Sequence, residues 1–455
     1  MTGKPARTPG NPVKPVMPPT LPDNTQSQFL LQDLSTQLDA TQELCRLKAG
    51  LPWTEFAVAF GPLYSPEGRP AKPIQRMVGL LLLKQLRDLS DEAVCAQWAE
   101  NPYFQYFCGE RVFQWGPPCE PSDLVHFRHR LGPAGMEKIF AVSIALHGAK
   151  ARESAVVADT TVQEKAIQHP TDARLYRKVA PAAVRLAAAE NLPLRRSYRR
   201  TLPRLAFTAA QRRTPTQKKA ARRATRQLKT IAGRLRREVA RKLSPAAQAP
   251  HAATLALWQR ALAQKKTDQN KIYSLHEPQV CCIGKGKAHK KWEFGAKASV
   301  LMTKTGGVLV GAHSFPENRY DGDTLPEALA QTERLTGARP AVVIADRGYR
   351  GRELVGATRV VIPQAGGPDE ETPAQRRHRR ACFRRRAAIE PRLGHLKSDY
   401  RLGRNFLRGS AGDAINLLLA ATAANLRLWL RTALFWRRAL LAWLRSLLAM
   451  VRQPC

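Results

Sequence analysis

The sequence predicts a mixed α+β/α/β chain: a mixed sheet flanked by helices, preceded by an all-α N-terminal domain and interrupted by a basic helical insertion. Three observations predict it. Apolar residues recur at helical spacing through the first 150 positions. Short β-branched runs begin at residue 155 and return between 292 and 363. Between these two groups, residues 174–271 are alanine- and arginine-rich, with 26 Lys/Arg against three acids, Glu190, Glu238 and Asp268.

A chain of 455 residues allows two or three domains at about 150 residues each. Its 74 Lys/Arg oppose 36 Asp/Glu, a net charge of +38, which points to nucleic acid as the main partner, with a membrane surface as the weaker alternative. The eight cysteines form no C-x-x-C pair, so neither a zinc site nor a disulfide framework is visible and a reducing cytoplasm fits. Residues 1–25 read as a disordered tail, being rich in proline and polar groups without the apolar segment of a secretory signal. The apolar run 433–451 is interrupted by Arg437, Arg438 and Arg445, which argues against a bilayer span.

Helical periodicity covers 26–47, and a Pro/Gly-rich connection, 61–73, leads to a buried helix over 74–89. Ser90 followed by Asp91 and Glu92 is an N-cap with acids in the first turn, and Asn101-Pro102 stops the helix it starts. The pair fits either a helix-turn-helix or an ordinary helical hairpin. Residues 101–109 are aromatic and belong to a core. A further helix over 122–147 places Phe127, Leu131, Met136 and Phe140 on its apolar side.

The run Ala155-Val-Val-Ala-Asp-Thr-Thr161 is a short strand ending on an acid, Asp159, either a turn former or a catalytic carboxylate. The insertion then supplies +23 of the net charge and suits phosphates without reading bases. A strand follows over 292–303, alternating Phe294, Ala296, Ala298 and Val300 with Gly295, Lys297, Ser299 and Leu301. Gly306-Gly307 turns into a second strand over 308–312. A helix covers 324–335, a buried strand in 340–349 carries Asp346 at its C-terminal end, and 360–363 forms another short strand.

The segment 376–408 holds twelve Lys/Arg against Glu390 and Asp399. A lone carboxylate on such a face either holds a divalent cation against a phosphate or merely pairs with Arg386. Phe383, Arg386, Glu390 and Lys397 share one helical face by spacing. Pro391 either kinks that helix or opens a new one in its first turn. The resulting order is strand with acid, hairpin, helix, strand with acid, helix, strand, helix with acid, the order of a ribonuclease H-like domain. Three acids converging at one end of its sheet can bind two Mg²⁺ about 3.5–4 Å apart.

These residues resemble those of bacterial insertion-sequence transposases of the DDE class. The resemblance runs from about residue 73 to 425. It rests on Val157-Ala-Asp-Thr-Thr161, on Ile344-Ala-Asp-Arg-Gly-Tyr349, and on Arg386 followed by Glu390 and Lys397, with weaker likeness at Tyr273-Ser-Leu-His-Glu-Pro278, Gly284-Lys-Gly-Lys287, 321–325 and Leu402-Gly-Arg-Asn405. The family places a tyrosine three residues before the arginine; this chain has Phe383, which lacks the hydroxyl.

The resemblance implies that Asp159, Asp346 and Glu390 are catalytic metal ligands for two Mg²⁺, with Mn²⁺ as a substitute. It also implies that Arg386 and Lys397 grip a DNA strand, and Arg392, Arg347, Lys285 and Lys287 are further DNA-binding candidates. His289, His313 and His395 either orient water or phosphate or are structural. The implied reaction is hydrolysis of a phosphodiester at the element end, then attack of the freed 3′-hydroxyl on target DNA. Partners are then double-stranded DNA, both terminal inverted repeats and target, and a homodimer or larger assembly, with no membrane, in a bacterial cytoplasm at the nucleoid. The alternatives are a nuclease of the same fold that does not join strands, or an inactive DNA-binding copy acting as a repressor. The expected organisation is a tail over 1–25, a helical DNA-binding and assembly domain over 26–150, a catalytic domain over 151–428 and a helical tail over 429–455.

Overall fold

The structure, a computed structural model, describes residues 16–17, 32–65, 67–284, 290–363 and 372–451. The tail expected over 1–25 lies outside it except for β1 (Val16–Met17), which pairs in parallel with β2 (Arg69–Pro70).

The N-terminal region is all helical apart from that pair: α1 (Leu34–Gln37), α2 (Glu43–Gly50), α3 (Trp53–Phe60), α4 (Ile74–Leu86), α5 (Asp91–Glu100), α6 (Pro102–Phe107) and α7 (Pro121–Ala145). The single helix expected over 26–47 is not formed within its described part. The Asp39 carboxylate accepts both the N–H and the hydroxyl of Thr41, at 2.8 Å each, and this local turn competes with helix between α1 and α2. α4 is buried along most of its length, Met77 to Gln85, and its one buried charge, Lys84, is paired. Ser90 caps α5, its hydroxyl accepting the Ala93 N–H, and Asn101 both ends α5 and caps α6. The aromatic stretch is core, as Phe104 and Phe107 are buried. α7 bends at Gly132, which takes φ 58° before Pro133.

The rest builds a seven-stranded mixed sheet. β3 (Ala155–Glu164) is followed by the insertion, α8 (Asp172–Ala189), α9 (Thr201–Ala210), α10 (Pro215–Lys242) and α11 (Pro245–Ala263). The chain then returns through β4 (Cys281–Gly284), β5 (Trp292–Thr303), β6 (Leu309–Phe315), α12 (Leu325–Thr336), β7 (Val342–Ile344), β8 (Leu354–Val355) and β9 (Thr358–Val361). Helices α13 (Pro373–Ala387), α14 (Ile389–Ser398) and α15 (Gly409–Val451) close it.

The central order is β6-β5-β3-β7-β9, with β3, β5 and β6 antiparallel and β7 and β9 parallel to β3. This is the ribonuclease H-like arrangement, to which β4 adds beside β6 on the outer edge of β5 and β8 adds beyond β9. The helix expected between the strands ending at Asp346 and Val361 is absent: a 3₁₀ turn at Arg347–Tyr349 and the β8–β9 hairpin make that connection. The alternation in β5 does not separate a wet face from a dry one either. Lys297 and Ser299 are buried with the apolar set, because helices cover both sides.

One hydrophobic core runs from α2 and α4 through α7, the sheet and α14 to α15. The insertion has a second core of its own, where Leu228, Leu235 and Val239 of α10 meet Tyr176, Val179 and Trp258. Arg222, Arg223, Arg226, Lys229, Arg234 and Arg237 stand exposed on the opposite side of α10. The two bodies are joined at the end of β3. There the buried Lys165 ammonium lies 2.9 Å from Asp413 and 3.4 Å from Glu277 and donates to the carbonyls of Leu407 and Gly409. Burial pushes the Asp413 carboxyl up despite that ammonium.

A second buried ion group holds the helical region. Arg128 donates to both oxygens of Asp91, at 2.8 and 2.6 Å, and Lys84 meets Asp91 at 2.6 Å; desolvation lowers the Lys84 pKa to about 8. Replacing Asp91 by Ala strands two cations, so Asp91→Ala should lose about 3–5 kcal/mol, read from urea unfolding of the purified variant.

Candidate active site

The two candidate aspartates are brought level by strand register. β3 and β7 pair in parallel with Val157 opposite Ile344, and Asp159 and Asp346 each lie two residues beyond that pair. Successive side chains alternate across a strand, so Asp159 follows the side of Val157 and Asp346 the side of Ile344. Both are half-buried. Asp159 Oδ1 accepts the Thr160 N–H at 2.7 Å, and Asp346 Oδ1 accepts the Gly348 N–H at 2.8 Å, so each carboxylate is oriented by its own following backbone.

A third aspartate joins them. Asp321, just before α12, accepts at Oδ1 from the Thr160 hydroxyl and from the Lys297 ammonium, both at 2.8 Å. A Cβ on Gly348 would lie 2.8 Å from Asp321 Oδ2 and 2.9 Å from Asp346 Oδ1, so these two carboxylates crowd the same glycine from two sides. Behind them sits Tyr349, fully buried. Burial first, and then the nearby charges of Asp159, Asp321 and Asp346, hold that phenol well above its usual range.

Sequence reading did not pick out Asp321, Thr160, Lys297 or Tyr349 as site residues. The faint signal was the Asp321-Gly-Asp-Thr-Leu325 segment. Nothing in its spacing says that it folds back beside β3.

The basic helices pack over β3 from the other direction. Of the two readings of Pro391, the structure takes the second: α13 ends at Ala387, and Pro391 is the third residue of α14. Glu390 is exposed and bound by the Arg386 guanidinium at 2.7 Å across that junction. The four residues assigned to one face therefore part company. Phe383 turns onto the core, Arg386 and Glu390 pair, and Lys397 lies 3.6 Å from Glu293 on β5. Among the described residues, no group of three or more His, Cys, Asp or Glu side chains is gathered closely enough to hold a metal ion. The donor chemistry of the three acids, hard carboxylate oxygens throughout, is that of a Mg²⁺ or Mn²⁺ site.

Among the other DNA-binding candidates, Arg392 is half-buried. It points inward, its Nη2 donating to the Gly307 carbonyl at 2.9 Å, and burial lowers its pKa. Its place in α14, two residues after Glu390, turns it toward the β5–β6 hairpin rather than to solvent. Arg347 is exposed beside Asp346, with Nε 3.4 Å from the Pro363 carbonyl. Lys285, Lys287 and His289 lie outside the described residues. His313 packs its ring 4.7 Å from Phe315 and burial lowers its pKa, a structural placement. His395 pairs with Asp399 at 2.8 Å on the outer side of α14. Arg376, Arg377, Arg380, Arg384 and Arg385 are exposed along α13, so the acids lie next to an intensely cationic helix.

Residues 32–130 match the family model described as Transposase domain (DUF772), and residues 265–426 match the one described as Transposase DDE domain. Asp346 and Glu390 fall inside the second match and Asp159 between the two. An uncharacterized protein, ORF8 in the nfe locus of Rhizobium meliloti, is 43% identical over 176 residues, which cover 38% of this chain and 85% of that protein. No solved structure matches.

The crowding at Gly348 has a measurable consequence. Gly348→Ala should destabilise by about 1–3 kcal/mol, as overpacking does, and the measurement is the unfolding midpoint in denaturant against wild type.

Proposed function

Because the chain belongs to the DDE transposase family, we propose that it cuts DNA at the ends of a mobile element and joins the freed 3′-hydroxyls to target DNA, using Asp159, Asp346 and Glu390. The observation that carries this reading is the parallel register of β3 and β7, which sets two of the three acids at one level of the sheet.

Transposases of this class use divalent metal ions, which supply activation of the attacking water or hydroxyl and stabilisation of the leaving oxygen. The residues that would hold them are Asp159, Asp346 and Glu390. In the structure Glu390 is on Arg386; a DNA phosphate that takes the Arg386 guanidinium frees Glu390 to turn toward the aspartates. The pair is exposed, so its own stability is small, in the range of about 0–1 kcal/mol, and the exchange costs little. Arg347, exposed beside Asp346, would steady a strand there, and Lys397, near Glu293, would grip it further along α14. The exposed arginines of α13 and of α10 supply sequence-independent attraction to phosphates.

We assign 26–150 to DNA binding and assembly, 151–428 to catalysis with 174–271 as its phosphate-binding insertion, and pairing of two element ends to a dimer or larger assembly. α15 runs through position 428 without a break. No helix among the described residues is long and apolar enough to cross a membrane.

The test is cleavage and joining of a plasmid carrying the inverted repeats that flank the gene. Asp159→Asn, Asp346→Asn and Glu390→Gln should each lower Mg²⁺-dependent cleavage by more than about 100-fold, since even outer-shell changes at metal sites cost 10–100-fold, while retaining DNA binding. Cleavage near the wild-type rate in any one of them removes that acid from the site. Nicked ends with no joined product would identify a nuclease. Binding should weaken linearly in log[salt], with a slope of about −0.9 per phosphate contacted; a flat salt response would remove the arginine helices from the interface.

A further inference from the structure

The strand expected to end on Asp159 runs on to Glu164, so Asp159 stands in mid-strand and Asp346 just beyond β7; Asp321 touches the residues that orient both. Its Oδ1 accepts from the Thr160 hydroxyl at 2.8 Å, and the Thr160 N–H is the donor to Asp159. Its Oδ2 faces Gly348, and the Gly348 N–H is the donor to Asp346. One side chain, from the 3₁₀ turn before α12, therefore braces both the middle of β3 and the turn after β7 at once.

Asp321 also brings a countercharge. Lys297, buried on β5, places its ammonium 2.8 Å from Asp321 Oδ1 and donates as well to the Arg319 carbonyl. Tyr349 lies buried beside the three carboxylates. Like-charged carboxylates at one level repel one another unless something fixes them. A fixed ammonium one carboxylate away eases that repulsion, and its engagement with Asp321 and Arg319 keeps it from pairing with Asp159 or Asp346 directly.

We propose that Asp321 is a positioning residue for divalent-ion binding by Asp159 and Asp346, acting through Thr160, Gly348 and Lys297. The inference rests on the transposase reading above. Loss of Asp321 leaves the ligands in the chain but loosens their placement, which is the way outer-shell partners act at metal sites.

The experiment is Mn²⁺ titration of the full-length chain followed by electron paramagnetic resonance, with DNA cleavage and melting temperature measured on the same samples. Asp321→Asn should weaken Mn²⁺ binding by about 10–100-fold, and Thr160→Val should move it in the same direction. Asp159→Asn should remove the site altogether. Because Asp321→Asn strands the Lys297 ammonium and lowers stability, the double variant Lys297→Met with Asp321→Asn serves as its partner; it should regain melting temperature without regaining Mn²⁺ affinity. Wild-type Mn²⁺ affinity in Asp321→Asn and Thr160→Val would overturn the proposal, leaving Asp321 a purely structural residue. Loss as complete as in Asp159→Asn would also overturn it, by making Asp321 a ligand. If wild type binds no Mn²⁺ and cuts no DNA, the transposase reading fails and the inference with it; if wild type binds and cuts while Asp321→Asn behaves normally, only the inference fails.

Discussion

The parallel pairing of β3 with β7 is the constraint from which the rest of this site follows. It is short, three residue pairs, yet a slip by one residue would turn every side chain of β7 to the opposite side of the sheet and separate Asp346 from Asp159. What keeps the register is burial on both faces. Val156, Val157, Val343 and Ile344 are buried, and a shift would force these apolar groups and the acids to trade places. Two carboxylates are thus held level by the hydrophobic effect acting on their neighbours, not by any attraction between them.

Charge is managed differently inside and out. Four buried cations share carboxylates: Lys165 with Asp413 and Glu277, Arg128 and Lys84 with Asp91, Lys297 with Asp321. Leaving any of them alone in a low-dielectric interior would be costly. The exposed arginines of α10 and α13 have few acids near them, and in water this costs little. Much of the +38 is therefore available to a polyanion, on α10 of the insertion and on α13, which packs against β3 and β7.

Much of this was legible in the residues. Ser90, Asn101 and the Gly306-Gly307 turn are local signals, and local hydrogen bonding decides them, so each stands where its pattern places it. The amphipathic α10 is legible for the same reason: its inward positions recur at helical spacing and its arginines fill the gaps. Patterns that depend on distant partners were misread. Arg392 looks like its neighbours in a run of bases, and only the approach of the β5–β6 hairpin turns it inward to Gly307. The stretch over 26–47 has helical periodicity, but the Asp39 turn breaks it. Between Asp346 and Val361 the chain had no need of a helix, because β8 crosses back as a short hairpin.

The amino-acid order alone singles out the three acids as candidates, the β-type runs that carry two of them, the helical character of the regions before and after the sheet and the size and charge of the insertion, since these rest on residue type and short-range periodicity. Folding in three dimensions settles which side chains meet. It pairs Glu390 with Arg386, turns Arg392 inward, and folds a turn 162 positions after Asp159 back onto the residue beside it, so that Asp321 reaches Thr160 and Gly348. Contacts between residues so far apart in sequence leave no local signature, because the register of β3 against both β5 and β7, and the core that enforces it, exist only once the sheet has closed.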